Sequence, residues 1–300
     1  MLLRARPVEA AARRMNSQVE NRGKRSHRFR RLAERLLDSA LLNGLIAAWS
    51  YRCGLHGKLG VSLYEVAVAK EKSLRAPLTI AFASDFHAGP TTHPAIFSEL
   101  FDRLADIRPD VLLLGGDFVS CKAIYADALA GGLSRCHPPL GKYAVLGNHD
   151  LWADERQLTQ RLAAAGVQML VNRNITLPSP FDSVSICGID DPWIGSADVA
   201  QAFKDANQIR IFLTHSPDGL LLLDDETFDV GFAGHTHGGQ IALRDGTPIF
   251  TAQGPLSRTY SQGRFEVKGN GPLIVSRGIG CSNLPIRMNA DPELVICTLR

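Results

Sequence analysis

Five short segments hold most of the residues able to do chemistry: Ser84-Asp85-Phe86-His87, Gly115-Gly116-Asp117, Gly147-Asn148-His149-Asp150, Thr214-His215-Ser216 and Gly234-His235-Thr236-His237-Gly238. They take in five of the nine histidines. In order they supply Asp, His, Asp, Asn, His, His and His, oxygen and nitrogen donors suited to two divalent metals that share one carboxylate. Two such cations side by side clamp phosphate esters and activate water against them. Singly, each segment has a plainer reading, because a Gly-Asp after an apolar run commonly marks a turn and a lone His is commonly structural. It is the ordered series that points to metal chemistry.

Donors scattered over 150 residues need a scaffold that gathers them. Each segment follows a strand-like apolar run, at residues 78–83, 111–114, 142–146, 209–213 and 228–233. The donors therefore collect where the carboxyl ends of parallel strands lie, the usual place for sites in open α/β sheets. Pro94 suits the first turn of a helix over residues 95–107, with Phe97, Leu100, Phe101 and Leu104 on one side, and a second helix is expected over 154–165. Further strands are expected at 168–171, 184–188, 241–243, 273–276 and 294–299, with fewer helices between them. Two sheets packed face to face under outer helices accommodate that order.

The series resembles the calcineurin-like metallophosphoesterase superfamily, whose DxH, GD, GNH(D/E), isolated His and GHxH motifs are matched in order from Asp85 to His237. The run from His235 to Gln240 and the ending around Ser276-Arg277-Gly278 and Pro285-Ile286-Arg287 resemble its bacterial YkuE/YaeI-type branch. The resemblance covers roughly residues 60–300. It implies an α/β fold, a four-layer α/β/β/α sandwich, and two divalent metal ions, manganese foremost with iron, zinc or cobalt tolerated. Asp85, His87, Asp117 and His237 would hold one ion, and Asp117, Asn148, His215 and His235 the other, with Asp117 as the bridge. His149 would protonate the leaving oxygen or stabilise transition-state charge, with Asp150 fixing its tautomer.

The implied activity is hydrolysis of a phosphodiester or pyrophosphate bond, with a nucleotide-lipid such as UDP-2,3-diacylglucosamine, a lipid A precursor, as the suggested substrate. A phosphodiesterase of soluble nucleotides or cell-wall phosphodiesters is the alternative. A non-catalytic binding scaffold of the same fold is a third reading, against which the full set of seven ligands and His149 stands. Ser120 occupies the position where purple acid phosphatases place a tyrosine ligand, and Phe118 follows Asp117 where protein phosphatases carry Asp-Arg-Gly. Two residues outside the motifs suit substrate contact. Arg287 has a bidentate fork shaped for phosphate, or equally for a salt bridge at the surface or core edge, and Trp193 follows the Asp190-Asp191-Pro192 turn, from which it could wall a substrate site.

A hydrophobic share of 45% and a charged share of 21% describe an ordinary globular chain with one sizeable core. The six cysteines show no CxxC spacing, so free thiols are expected. The net charge of +3 conceals a division. Residues 1–35 carry eleven Lys or Arg against three Glu, or +8, and the remainder carries 22 against 27, or −5. We divide the chain into a stem, 1–58, and a catalytic domain, 59–300. A basic stem reads as a solvated tail or as an attachment to an anionic membrane surface; no specific nucleic-acid partner is expected. The apolar stretch at 36–49 is interrupted by Asp38 and Asn43 and falls short of the ~20 residues that span a bilayer. It suits an interfacial helix, with Leu37, Leu41, Leu45 and Ala48 on one face and Trp49 beside them, or equally a helix docked on the enzyme's own surface. The expected location is peripheral, on the cytoplasmic face of the inner membrane rather than exported: Arg30-Arg31 is followed by Glu34, Arg35 and Asp38, a poor export signal.

Overall fold

The computed structural model describes residues 39–300 apart from Lys70 and Ser73. The basic run at 1–35, and Leu36, Leu37 and Asp38 of the apolar stretch, lie outside the described residues. The strands are β1 (Gly60–Val66), β2 (Leu78–Ala83), β3 (Val111–Leu114), β4 (Lys142–Ala144), β5 (Val167–Met169), β6 (Arg173–Thr176), β7 (Val184–Gly188), β8 (Ile209–Leu213), β9 (Val230–Ala233), β10 (Gly263–Phe265), β11 (Leu273–Val275) and β12 (Glu293–Leu299). They form two six-stranded sheets, ordered β1-β12-β2-β3-β4-β5 and β10-β11-β9-β8-β7-β6. The helices are α1 (Leu45–Arg52), α2 (Ala95–Ile107), α3 (Asp127–Arg135), α4 (Asn148–Trp152), α5 (Glu155–Ala164) and α6 (Val199–Phe203).

The apolar runs of β2, β3, β8 and β9, interrupted only by Thr79 and Arg210, are explained by burial on both faces, which removes the polar alternation of a one-sided strand. Side chains alternate along each strand. In β2 and β3, Ile80, Phe82, Val111 and Leu113 meet Ile186, Ile211 and Phe232 of the second sheet. Ala81, Ala83, Leu112 and Leu114 turn the other way, onto Phe97, Leu100, Leu129 and Leu158 of α2, α3 and α5. On the far side of the second sheet, Cys187 and Phe212 pack against Val199 and Phe203 of α6. These three apolar layers separate four layers of structure, helix, sheet, sheet and helix, in a mixed α/β sandwich. Within it β2-β3-β4-β5 and β11-β9-β8-β7 run parallel, so the five motif segments leave from carboxyl ends in the middle of both sheets.

Two local expectations give way. Residues 241–243 make isolated bridges, Ile241 with Met288 and Ala242 with Pro248, instead of a strand, because Gly238, Gly239 and Gln240 before them take left-handed backbone that ends regular pairing. The apolar stretch after the basic run is not one helix either. Leu42, Asn43 and Gly44 have φ of 50°, 51° and 96°, which breaks the helical phase, so that Leu41 is buried while Leu45 stands 68% exposed. The described part of the stem is docked on the rest of the chain: Ser50 Oγ donates to the Pro285 carbonyl, and the Arg287 amide donates to the Leu55 carbonyl at 2.7 Å. No helix among the described residues is long and apolar enough to cross a membrane.

Candidate metal centre

The loops after β2, β3 and β4 bring Asp85, His87, Asp117 and Asn148 to one face of a gap, and those after β8 and β9 bring His215, His235 and His237 to the other. Asp85, His87, Asp117, His235 and His237 all have left-handed φ, between 43° and 71°. Such backbone costs on the order of 1–3 kcal/mol per residue and persists only where the surroundings enforce it. Here the enforcement is visible as hydrogen bonding around the carboxylates. Asp85 accepts from Ser84 Oγ at 2.6 Å and from the His235 amide at 3.0 Å; Asp117 Oδ1 accepts from the His149 amide at 2.8 Å. The glycines of the motifs leave the room. A Cβ at Gly147 would stand 2.3 Å from Asp117 Oδ1, and one at Gly234 would stand 2.3 Å from Asp85 Oδ2.

The ring nitrogens converge. His87 Nε2 and His215 Nε2 both lie 3.4 Å from the same oxygen, Asp117 Oδ2. His87 Nε2 is 3.0 Å from His237 Nε2, which lies 3.5 Å from Asp85 Oδ1. On the other flank, His215 Nε2 is 3.2 Å from both Asn148 Oδ1 and His235 Nδ1. Two sets of donors thus meet at one carboxylate oxygen. Both rings are oriented from behind: His215 Nδ1 donates to the Gly115 carbonyl at 2.7 Å and His235 Nε2 to the Gln253 carbonyl at 2.9 Å, so the nitrogen each would turn to a cation is the inward one, which in His215 must first give up the proton that Asp117 favours.

Burial above all pushes His87 down to about 3 and His235 down to about 4, and holds His237 well below the usual imidazole range. These rings are therefore neutral. Burial also lifts Asp85 to about 6. Burial opposes both charges of the Asp117–His215 pair, yet mutual attraction wins: His215 and then His149 hold Asp117 well below the carboxylate range, while Asp117, Asp85 and Asp191 hold His215 well above the usual imidazole range. The residues fit a pair of divalent cations. Close-set neutral rings and buried carboxylates present more lone pairs than protons, and one shared proton at most can bridge the 3.0 Å between His87 and His237.

Two expected roles change. The Asp150 carboxylate is engaged by backbone, accepting from the amides of Phe118 at 2.8 Å, Val119 at 3.3 Å and Gly147 at 3.0 Å, which ties the second motif to the third. His149 Nδ1 instead lies 2.8 Å from the Ser120 carbonyl oxygen and donates to it. Arg287 is 4% exposed and donates to the carbonyls of Gly280 at 2.9 Å and Ala290 at 2.8 Å, with Nη2 3.2 Å from His237 Nδ1. Its fork clamps the C-terminal loop behind a ring and is not offered to substrate.

Trp193 does face the centre. The paired acids before it form a turn, with Asp191 Oδ1 accepting from the amides of Trp193 and Ile194 at 3.0 and 2.7 Å, and the indole Nε1 donates to Asp218 at 2.7 Å. Trp193 walls a cavity of about 490 Å³ whose floor holds Asp117, Asn148, His149, His235 and His237. The sequence did not mark Trp152, Phe250, Leu284 or Gln253, which also line it. Trp152 sits edge-on to His149 at 4.6 Å between centroids, and its place four residues after Asn148 on a short helix was the one available signal.

Comparison with known proteins agrees with this geometry. Residues 78–239 match the family model of the calcineurin-like phosphoesterases. The chain is 29% identical over 237 residues to phosphodiesterase YaeI of Escherichia coli (strain K12), covering 76% of this chain and 84% of that one. It is 30% identical over 199 residues to the uncharacterized metallophosphoesterase YkuE of Bacillus subtilis (strain 168), covering 64% and 68%. It is also 29% identical over 279 residues to UDP-2,3-diacylglucosamine pyrophosphatase LpxG of Chlamydia trachomatis, covering 74% and 83%. With the motifs in order, on the strand ends that carry them, the chain belongs to the calcineurin-like phosphoesterases, metal-dependent hydrolases of phosphoric esters.

Proposed function

We propose that this enzyme is a dinuclear phosphodiesterase or pyrophosphatase whose substrate is a nucleotide-lipid of the UDP-2,3-diacylglucosamine type, met at the anionic cytoplasmic face of the inner membrane. The observation that carries the diester over the monoester is the cavity lining, which includes no Lys or Arg among the described residues. A phosphomonoester concentrates two charges on one phosphoryl group and calls for cationic side chains there, which a diester, or a pyrophosphate with one charge on each phosphorus, needs less. The apolar share of the lining, Trp152, Trp193, Ile194, Ile241, Phe250 and Leu284, suits a substrate with apolar bulk beside its phosphate. The pyrophosphatase activity for which the chlamydial relative is named and the +8 stem support the lipid and the surface.

Asp85, His87, Asp117 and His237 would hold one ion and Asp117, Asn148, His215 and His235 the other, manganese first among the candidates. Bound there, the pair supplies charge for the phosphoryl oxygens and lowers the pKa of water. Asp117 orders both halves, since one of its oxygens faces His87 and His215 and the other accepts the His149 amide. His149 has its Nδ1 proton committed to Ser120, so any proton it gives a leaving oxygen passes through Nε2. Purified full chain, stripped with chelator and reloaded with Mn, Fe, Zn or Co, should be assayed on bis-p-nitrophenyl phosphate, p-nitrophenyl phosphate and UDP-2,3-diacylglucosamine. Preference for the diester and cleavage of the nucleotide-lipid are expected. Faster monoester turnover would overturn the diester reading, and an inert nucleotide-lipid beside an active diester would leave soluble phosphodiesters as the substrates.

A further inference from the structure

Nine of the twelve large apolar side chains that stand exposed among the described residues come from three stretches, 42–55, 243–250 and 284–288. The stretches are neighbours. Ser50 Oγ donates to the Pro285 carbonyl and the Arg287 amide to the Leu55 carbonyl, joining the first to the third. The Ala242 amide donates to the Met288 carbonyl at 2.9 Å, joining the third to the second. Leu45 and Trp49, one turn apart on α1, are 68% and 61% exposed, Leu243 is 52% exposed, and Phe250 and Leu284 are 67% and 53% exposed while also lining the cavity. An apolar surface of this extent, continuous with the mouth of a site, marks an interaction face.

Charge decides what covers it. Residues 39–58, 241–260 and 281–290 contain one carboxylate, Asp245, against exposed Arg52, Lys58, Arg244 and Arg258; at the border, Glu99 accepts from the Tyr51 hydroxyl and Asp291 lies beside Gly57. In the sequence the +8 run of residues 1–35 comes just ahead of α1. An aromatic and several aliphatic tips flanked by four cations, on a chain that also carries that basic run, complement anionic headgroups over hydrocarbon. We propose that α1 and the loops at 241–250 and 284–288 form a docking face that seats the cavity mouth on an anionic phospholipid bilayer. The inference takes from the functional reading only that this cavity admits the substrate, and it does not depend on which phosphoric ester is cleaved. It also separates two contributions: the basic arm supplies long-range attraction that salt screens, and the apolar face supplies insertion that salt does not.

The test uses the full chain with Leu45, Trp49, Leu243 and Ile249 changed together to Ser, none of which lines the cavity. Co-sedimentation with phosphatidylglycerol vesicles and with phosphatidylcholine vesicles is measured at low and high salt, alongside hydrolysis of soluble bis-p-nitrophenyl phosphate. The parent should bind phosphatidylglycerol vesicles and keep part of that binding at high salt. The variant should lose about tenfold or more of its high-salt partition while cleaving the soluble diester within about twofold of the parent. A variant that binds as well as the parent at high salt, or a parent that ignores phosphatidylglycerol, overturns the proposal, as does a parent that dimerises through this face where the variant is monomeric. Should the fourfold variant fail to fold, brominated phosphatidylglycerol decides on the parent against Trp49→Phe: quenching of the Trp49 emission is expected, and its absence refutes insertion. Vesicle binding is read without any turnover, so a failed substrate assignment and a failed docking face give different results.

Discussion

Asp117 is the residue on which both halves of the centre depend, because His87 and His215 address the same oxygen of its carboxylate. Asp117→Asn should lower metal content and nearly abolish hydrolysis, as elemental analysis beside a diester assay would register. His149 should behave otherwise: His149→Ala keeps most bound metal and loses roughly 10²- to 10⁴-fold in rate, the range of general acid catalysis. That loss should shrink across a series of increasingly acidic leaving groups; a constant loss would reassign the ring to charge stabilisation. Metal uptake should also depend on pH in a defined sense. Burial lifts Asp85 to about 6, whereas His87 and His235 sit at about 3 and 4. As pH falls through about 6, a proton occupies the Asp85 carboxylate and competes with the cation, while the His87 and His235 rings remain neutral and the proton that Asp117 favours on His215 competes on both sides of that point. Apparent affinity should therefore fall by up to about tenfold per pH unit below that point, and titration calorimetry should record proton release on metal uptake there. An affinity flat from pH 7 to pH 5 would remove Asp85 from the ligand set.

At the scale of elements, the strands that carry ligands were legible because burial on both faces leaves a mainly apolar run that stops at Gly, Ser or Thr just before the ligands. What escaped was written in a different code. β1 alternates half-exposed and exposed residues, the pattern of an edge strand with one weakly covered face. α3 contains Gly131 and Gly132, which local propensity sets against a helix, yet a Cβ at Gly132 would stand 2.0 Å from the Phe101 ring, so the glycine is the condition for α2 and α3 to touch. The roles of Ser120 and Gln253 rest on backbone carbonyls, which side-chain type does not announce. Arg287 was misread because its fork suits phosphate and backbone carbonyls alike, and only its burial separates the two. Lys142 belongs here as well. Its ammonium, in a buried side chain, donates to the carbonyls of Leu133, Cys136 and Ala165 at the ends of α3 and α5, joining two orphaned helix termini to β4. Lys142→Met should cost about 2–4 kcal/mol in denaturant unfolding, as buried charge-assisted hydrogen bonds are lost, with the diester rate of the folded fraction unchanged.

Taken whole, the molecule is two sheets that each hold half of a ligand set, so the distance between sheets fixes the distance between ligands. Phe82 and Phe232, both fully buried, meet across that interface at 5.3 Å between centroids, and each stands three residues before a ligand, Asp85 or His235. Phe232→Ala should lower stability by about 3–5 kcal/mol through the cavity it leaves. It should weaken metal binding at the same time, since the two halves lose their spacer. Thermal unfolding with and without added manganese measures both, because a cation that binds only the folded chain raises the midpoint by mass action. A normal manganese-induced shift in Phe232→Ala would mean that the ligand spacing is set elsewhere.

The order of strands in the first sheet bears on how the protein is made. β12 lies between β1 and β2, antiparallel to the strand that delivers Asp85 and His87. The Glu293 amide also donates to the Gly278 carbonyl, and the Gly280 amide to the Asp85 carbonyl at 2.7 Å. On the ribosome, β2 must therefore wait for a partner encoded more than two hundred residues later, about 10–40 s at ordinary elongation rates. Through that interval the nascent chain has its first ligands but no finished bed to hold them. A chain released early, at any codon before 293, should be a poor metal binder and an idle hydrolase, so that activity is confined to polypeptides translated through their final strand.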